Sequence, residues 1–241
     1  MRKSIAVFGA GPALGRAVAQ RYAKEGYSVA LVARRPETLH QMAEELSSEA
    51  ADVHAFDADL SDTQAAAPLA ERIRAEVGDL DVLYYGPSAG GILSGSASTV
   101  ERIQAFMPLA LYTPVALIEE FLPHMIAQGK GAILVATGAS AVRGMPAFRA
   151  AGPGLAAQRN YLESLEVELS GCGVYVGRLY IGATIERSAW YARIEAERAA
   201  GRPVPAGQAI VAPEYLAELL WSMHTTTRRP EVLYPDNLFE H

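Results

Sequence analysis

A single cysteine stands in 241 residues. Cys172 has no intrachain partner, which excludes a disulfide framework and fits a reducing compartment, so a cytoplasmic protein is expected. Its setting, Gly171-Cys172-Gly173, suits a small apolar residue in a turn better than a nucleophile. Positive charge is also short: 21 Lys and Arg against 27 Asp and Glu leave a net charge of -6. That balance argues against a nucleic-acid surface. The five histidines show no paired spacing with each other or with cysteine, so no metal is expected. No apolar run reaches the ~18 residues of a membrane-spanning helix, so no membrane partner is expected. Met1-Arg2-Lys3 is basic, but the apolar stretch after it is short and runs into a glycine turn. It reads as a first strand and not as a signal peptide. Internal repeats and low-complexity linkers are lacking too.

What is present is an apolar, regularly alternating chain. Hydrophobic residues make up 50% of it, enough for a large core and too many for disorder. Strand-like runs fall at 4–8, 28–33, 52–56, 80–85, 131–137, 173–180 and 231–234. Amphipathic segments lie between them near 13–26, 36–50, 62–77, 98–128, 147–171 and 212–225. Strands apolar along their length suit a parallel sheet covered on both faces. The expected fold is α/β: a single Rossmann-like, doubly wound domain over 1–241, with about seven parallel strands and helices on both faces.

The most informative stretch is Gly9-Ala10-Gly11-Pro12-Ala13-Leu14-Gly15, between the apolar run Ile5–Phe8 and a helix-like run from Arg16. Glycine allows the tight turn and the close approach of a phosphate. The helix start offers unpaired N–H groups and a positive dipole end. The second strand ends at Ala33-Arg34-Arg35, with no acidic residue before Glu37. An acidic residue there would bind the ribose hydroxyls of NAD, whereas a basic one suits the 2′-phosphate of NADP. NADP is therefore favoured, with NAD or no cofactor as alternatives. Asp59, followed by Leu60, is placed after the third strand, where a short acidic side chain can bind the adenine amino group. Residues 182–211 interrupt the rhythm with Trp190, Tyr191, a charged run and a Pro-Gly-rich stretch. Lying at the carboxyl ends of the strands, they are expected to form a lid over a substrate.

The chain is similar to the short-chain dehydrogenase/reductase family over essentially its whole length. The matching pieces are Gly9 to Gly15, Ala33-Arg34-Arg35, Asp59-Leu60, Phe121-Leu122-Pro123-His124-Met125 and Ala156 to Leu162. Phe8 and Ala13 replace a Thr and a Gly of the usual family turn. The resemblance implies dimers or tetramers and a small-molecule substrate. It also implies an Asn, a Ser, a Tyr and a Lys for proton handling. In register with Gly131–Gly138, these fall on Ala110, Gly138, Ala151 and Leu155. None can hand on a proton.

Substitute groups are sought at the strand ends. Tyr85 and Tyr180 are candidate proton donors and Thr137 a candidate carbonyl polariser, with packing the simpler reading for each aromatic. Tyr84, Ser88, Ser140, Arg143 and Arg149 stand nearby in sequence terms. Three functions remain open: a divergent NADP(H)-binding oxidoreductase, a cofactor-independent cyclase, dehydratase or isomerase, and an NADP(H) sensor without turnover.

Overall fold

The apolar runs assemble into one parallel sheet of seven strands in the order β3-β2-β1-β4-β5-β6-β9. The computed structural model describes residues 2–47, 52–87, 98–202 and 209–240. The sheet strands are β1 (Ser4–Phe8), β2 (Ser28–Ala33), β3 (Asp52–Asp57), β4 (Val82–Tyr85), β5 (Gly131–Gly138), β6 (Val174–Ile181) and β9 (Glu231–Tyr234). A short parallel pair, β7 (Thr184–Ile185) and β8 (Ile210–Val211), stands apart. The helices are α1 (Leu14–Lys24), α2 (Pro36–Ser47), α3 (Ala66–Val77), α4 (Val100–Met107), α5 (Thr113–Ala127), α6 (Gly152–Glu168), α7 (Ala189–Ala199) and α8 (Pro213–Ser222).

β1 and β4 are buried along their whole length, and β2 at all but its last residue. They have apolar layers on both sides. One layer joins α1, α2 and α8 through residues such as Val18, Leu39 and Leu216. The other joins α3, α5 and α6 through Ile73, Phe121 and Leu162. Chain order reverses between β1 and β4, which opens a crevice at their carboxyl ends, where such sheets bind ligands.

The expected single helix over 98–128 is continuous but not regular. Five residues, Pro108–Tyr112, form a π turn between α4 and α5. Pro108 has no N–H for the helical ladder, and a π turn is one way to absorb that loss. By length and composition alone, Val100–Ala127 is apolar enough to cross a membrane. Leu117, Ile118, Phe121 and Met125 are instead almost fully buried, so this is a core helix of the fold.

Candidate functional site

The glycine turn is built for close backbone contact. Gly9 has φ +99, and a Cβ there would lie 2.6 Å from Pro87. A Cβ at Gly15 would lie 2.2 Å from the Gly9 carbonyl oxygen, so α1 can approach the turn only with glycine at its second residue. Gly9 and Ala10 both donate to the Val32 carbonyl at 2.9 Å, which pins the turn onto β2. Gly11 differs: a Cβ there meets only the Gly9 carbonyl, at 4.0 Å. The turn thus leaves open space at Gly11 where its neighbours leave none. α1 begins after Ala13, which provides no side-chain cap. Ala13 and Leu14 are themselves buried, so they contribute backbone and packing, not polar side chains. An uncapped helix start behind an open glycine suits an anion.

Arg34 and Arg35 are both exposed just past the end of β2, and neither has an ion-pair partner among the described residues. Asp59 stands across from Arg34 after β3. Its Oδ1 accepts from the Ser61 N–H at 3.0 Å and from the Ser61 hydroxyl at 2.7 Å. These bonds, with a further contribution from Arg34, hold its carboxyl below the usual range. Capping of the following turn falls to Asp62, which accepts from Gln64 N–H, so Asp59 is not the cap. Leu60 is buried. These residues fit a phosphorylated dinucleotide: a glycine cradle, an open helix start and exposed cations at the second strand.

The aromatic candidates lie at or near the ends of their strands and are buried there. Tyr85 is buried and its hydroxyl donates to the Leu109 carbonyl oxygen at 2.6 Å. Its proton is committed to the π turn, and burial pushes its pKa up. Tyr180 lies beside Thr137 in the β5–β6 register. Its hydroxyl is sealed and unpartnered, with the Arg159 guanidinium 5.7 Å from the ring centre. Both therefore sit in the core and not on an open surface, as the packing reading of each aromatic has it. Tyr84 is sealed in the same way on the opposite face, beneath Gly86. Thr137 is half-buried at the end of β5. Ser88 lies outside the described residues.

The positions that the resemblance assigns to the family's polar groups come together. A Cβ at Gly138 would lie 3.7 Å from Leu155 Cδ1, and a Cβ at Gly154 would lie 2.9 Å from Ala110 Cβ. Ala151 is buried immediately before the first turn of α6. The inner wall of the site is accordingly small and apolar.

Sequence reasoning missed two features. Thr184 is buried just after β6 with an unpartnered hydroxyl. The segment after β9 returns over the carboxyl edge: Leu238 fills the place of a side chain at Gly182, 2.1 Å from a Cβ there. Phe239 lies 5.5 Å beneath the Arg143 guanidinium. An apolar pair near the end of a chain has no periodic signature that marks it as a wall. Within 182–211, the β7–β8 pair clamps the base of the excursion, with Thr184 N–H on the Ala209 carbonyl at 2.8 Å. α7 exposes Trp190, under Arg193 at 5.6 Å. Residues 203–208 lie outside the described part.

The family model described as short chain dehydrogenase matches residues 3–193. The chain belongs to that family. It is 28% identical to an uncharacterised oxidoreductase of Myxococcus xanthus over 97% of this chain and 93% of that one. Two further curated relatives are matched over 56% and 54% of their lengths. Among solved structures, it is similar to an NADPH-bound short chain oxidoreductase of Pseudomonas aeruginosa PAO1 described as containing an atypical catalytic center. That match has a TM-score of 0.83 at 21% identity, over 99% of this chain and 97% of that one. A metagenomic short-chain oxidoreductase in complex with NADP gives a TM-score of 0.77 at 22% identity, over 96% of each chain. The short chain dehydrogenase fold, a Rossmann-like parallel sheet, is thus that of this protein.

Proposed function

We propose that this short chain dehydrogenase is an NADP(H)-dependent oxidoreductase with a non-standard proton route. The observation that carries the reading is the pairing of the glycine turn with exposed Arg34 at the end of β2. Gly9, Gly11, Ala13, Leu14 and Gly15 would hold the pyrophosphate, and Arg34 with Arg35 the 2′-phosphate. Asp59 and Leu60 would bind the adenine end. The NADP and NADPH complexes of structural neighbours support this choice. When bound, the coenzyme supplies or accepts a hydride at a carbonyl or carbinol carbon. Thr137 is the group we assign to polarising the substrate oxygen. With Tyr85 committed to Leu109 and Tyr180 sealed, the proton comes from solvent. Losing a positioned acid costs roughly 10²–10⁴-fold in rate, so turnover is expected to be slow.

A specific observation favours a second reading, an NADP(H)-binding sensor without turnover: Ala110, Gly138, Ala151 and Leu155 bear no proton-handling group. Residues 182–211 act as the lid in either case. We also place the protein in the cytoplasm as a homodimer or homotetramer. The lone Cys172 and the exposed Val167 on α6 support that placement.

Calorimetric titration with NADPH and then NADH tests the shared step. Micromolar NADPH binding with weaker NADH binding is expected, and no binding of either would overturn both readings. Oxidation of bound NADPH with a carbonyl panel then separates enzyme from sensor.

A further inference from the structure

The end of the sheet opposite the glycine turn carries a cavity of its own. Lys3 and Tyr27 immediately precede β1 and β2, which pair in parallel with Ser4 beside Ser28. Both residues therefore stand at the amino edge. With Glu25, with Trp221 near the end of α8, and with His224 and Thr225 in the π turn after it, they line a cavity of about 470 Å³. Small-molecule sites commonly span roughly 300–1,000 Å³. The whole of β1 separates this cavity from Gly9.

The wall of the cavity is rich in uncommitted donors. Tyr22 is 0% exposed, and its hydroxyl has no partner among the described residues besides His224 Nδ1, 3.0 Å away. Burial lowers the His224 pKa, so the ring is neutral at pH 7. The Tyr22 proton then points to Nδ1, and the ring's own proton stays on Nε2. Nε2 makes no hydrogen bond among the described residues and is not sealed from solvent. The Tyr27 hydroxyl is likewise unbonded and unsealed, although its residue is only 5% exposed. Lys3 Nζ lies 5.8 Å over the Tyr27 ring and has no carboxylate partner among the described residues. Glu25, the carboxylate on this wall, is engaged by Arg21 at 2.6 Å. The Thr225 hydroxyl is spent on the Trp221 carbonyl at 2.8 Å.

We propose that this cavity binds a small carboxylate with a flat apolar body. Its oxygens accept from His224 Nε2, the Tyr27 hydroxyl and Lys3, while Tyr27 and Trp221 supply apolar walls. Donors in half-buried surroundings cost free energy until an acceptor satisfies them. A cationic ligand is disfavoured because the rings already carry cations: Arg21 stacks on Trp221 at 4.2 Å, and Lys3 lies over Tyr27. A neutral ligand would leave the Lys3 charge unanswered.

The experiment titrates the untagged protein with sodium benzoate by calorimetry, with benzylamine and acetate as comparisons. Benzoate is expected to bind at least tenfold tighter than either. Lys3→Gln and Tyr27→Phe should each weaken benzoate about fivefold or more, the size of one lost hydrogen bond. Lys3 is exposed and Tyr27→Phe keeps the ring, so both variants should fold, which melting curves verify. In Trp190→Phe, Trp221 is the remaining tryptophan, and benzoate should change its fluorescence. Saturating NADPH should leave benzoate affinity unchanged, since the two ligands occupy opposite ends of β1. Absence of benzoate binding, equal binding of benzylamine, or unchanged affinity in either variant would overturn the proposal. Silent Trp221 fluorescence, or competition between benzoate and NADPH, would overturn it as well.

Discussion

The Gln158 amide nitrogen donates to the Ala110 carbonyl oxygen at 2.6 Å, while the oxygen of the same amide is buried with no partner. This bond ties α6 to the π turn at the point where Gly154 lets the two backbones approach. With the Tyr85 bond to Leu109, it captures two successive carbonyls that the irregular turn leaves outside the regular ladder. Gln158→Leu removes the orphan amide oxygen but leaves the Ala110 carbonyl unpaired, so its cost should be about 1–2 kcal/mol. Gln158→Glu sets a buried carboxylate against a carbonyl and should cost about 3 kcal/mol or more at neutral pH. Denaturant unfolding of the pair checks the contrast; equal losses would mean that the amide is not engaged with Ala110.

The glycines of the turn should separate by role. Gly15→Ala places a methyl on the Gly9 carbonyl and should both destabilise the protein and abolish nucleotide binding. Gly11→Ala meets no tight contact. It should leave the melting temperature nearly unchanged, yet weaken NADPH by at least tenfold. Melting curves alongside calorimetry test this.

Arg34→Asp should weaken NADPH at least tenfold, with little effect on NADH, because only NADPH carries the 2′-phosphate. An equal loss for both nucleotides would remove Arg34 from that role.

The two tyrosines offer a paired test. Tyr85→Phe leaves the Leu109 carbonyl unpaired and should cost about 1–3 kcal/mol. Tyr180→Phe deletes a sealed orphan hydroxyl and should be neutral or stabilising. Turnover with any carbonyl that supports it should persist in Tyr180→Phe.

His224 sets an acid limit on stability. It stacks on Tyr22 and Tyr175, and its Nδ1 pairs with the Tyr22 hydroxyl at 3.0 Å. Burial first, and then Arg228 and Lys3, lower its pKa to about 4. A histidine with a depressed folded pKa binds more protons when unfolded. Its contribution is complete above about pH 6.5 and is lost as the pH falls toward 4. The full window is worth about 3 kcal/mol. Melting temperature should fall across that window, and His224→Phe should flatten the fall.

The sheet was legible because its strands are apolar along their length, and their limits were read to within about two residues. Helix starts were less so. Proline and glycine shift α6 to begin at Gly152 and not near 147, because Gly152-Pro153 prefers a helix start to a helix interior. The nucleotide turn was legible for the same local reason: glycine spacing between a strand and a helix. Tyr85 and Tyr180 could not be assigned from pattern. Whether a hydroxyl is open, sealed or bonded depends on a distant partner such as Leu109, which sequence spacing does not reveal.

The two ends of the described chain lie at opposite edges of the sheet. Lys3 sits beside Tyr27 at the amino edge, whereas Leu238 and Phe239 lean over the carboxyl edge. A purification tag fused behind Glu240 would hang from the very segment that leans over that edge. A tag ahead of Lys3 would emerge on the far side, and affinities measured on such a protein would report the site itself.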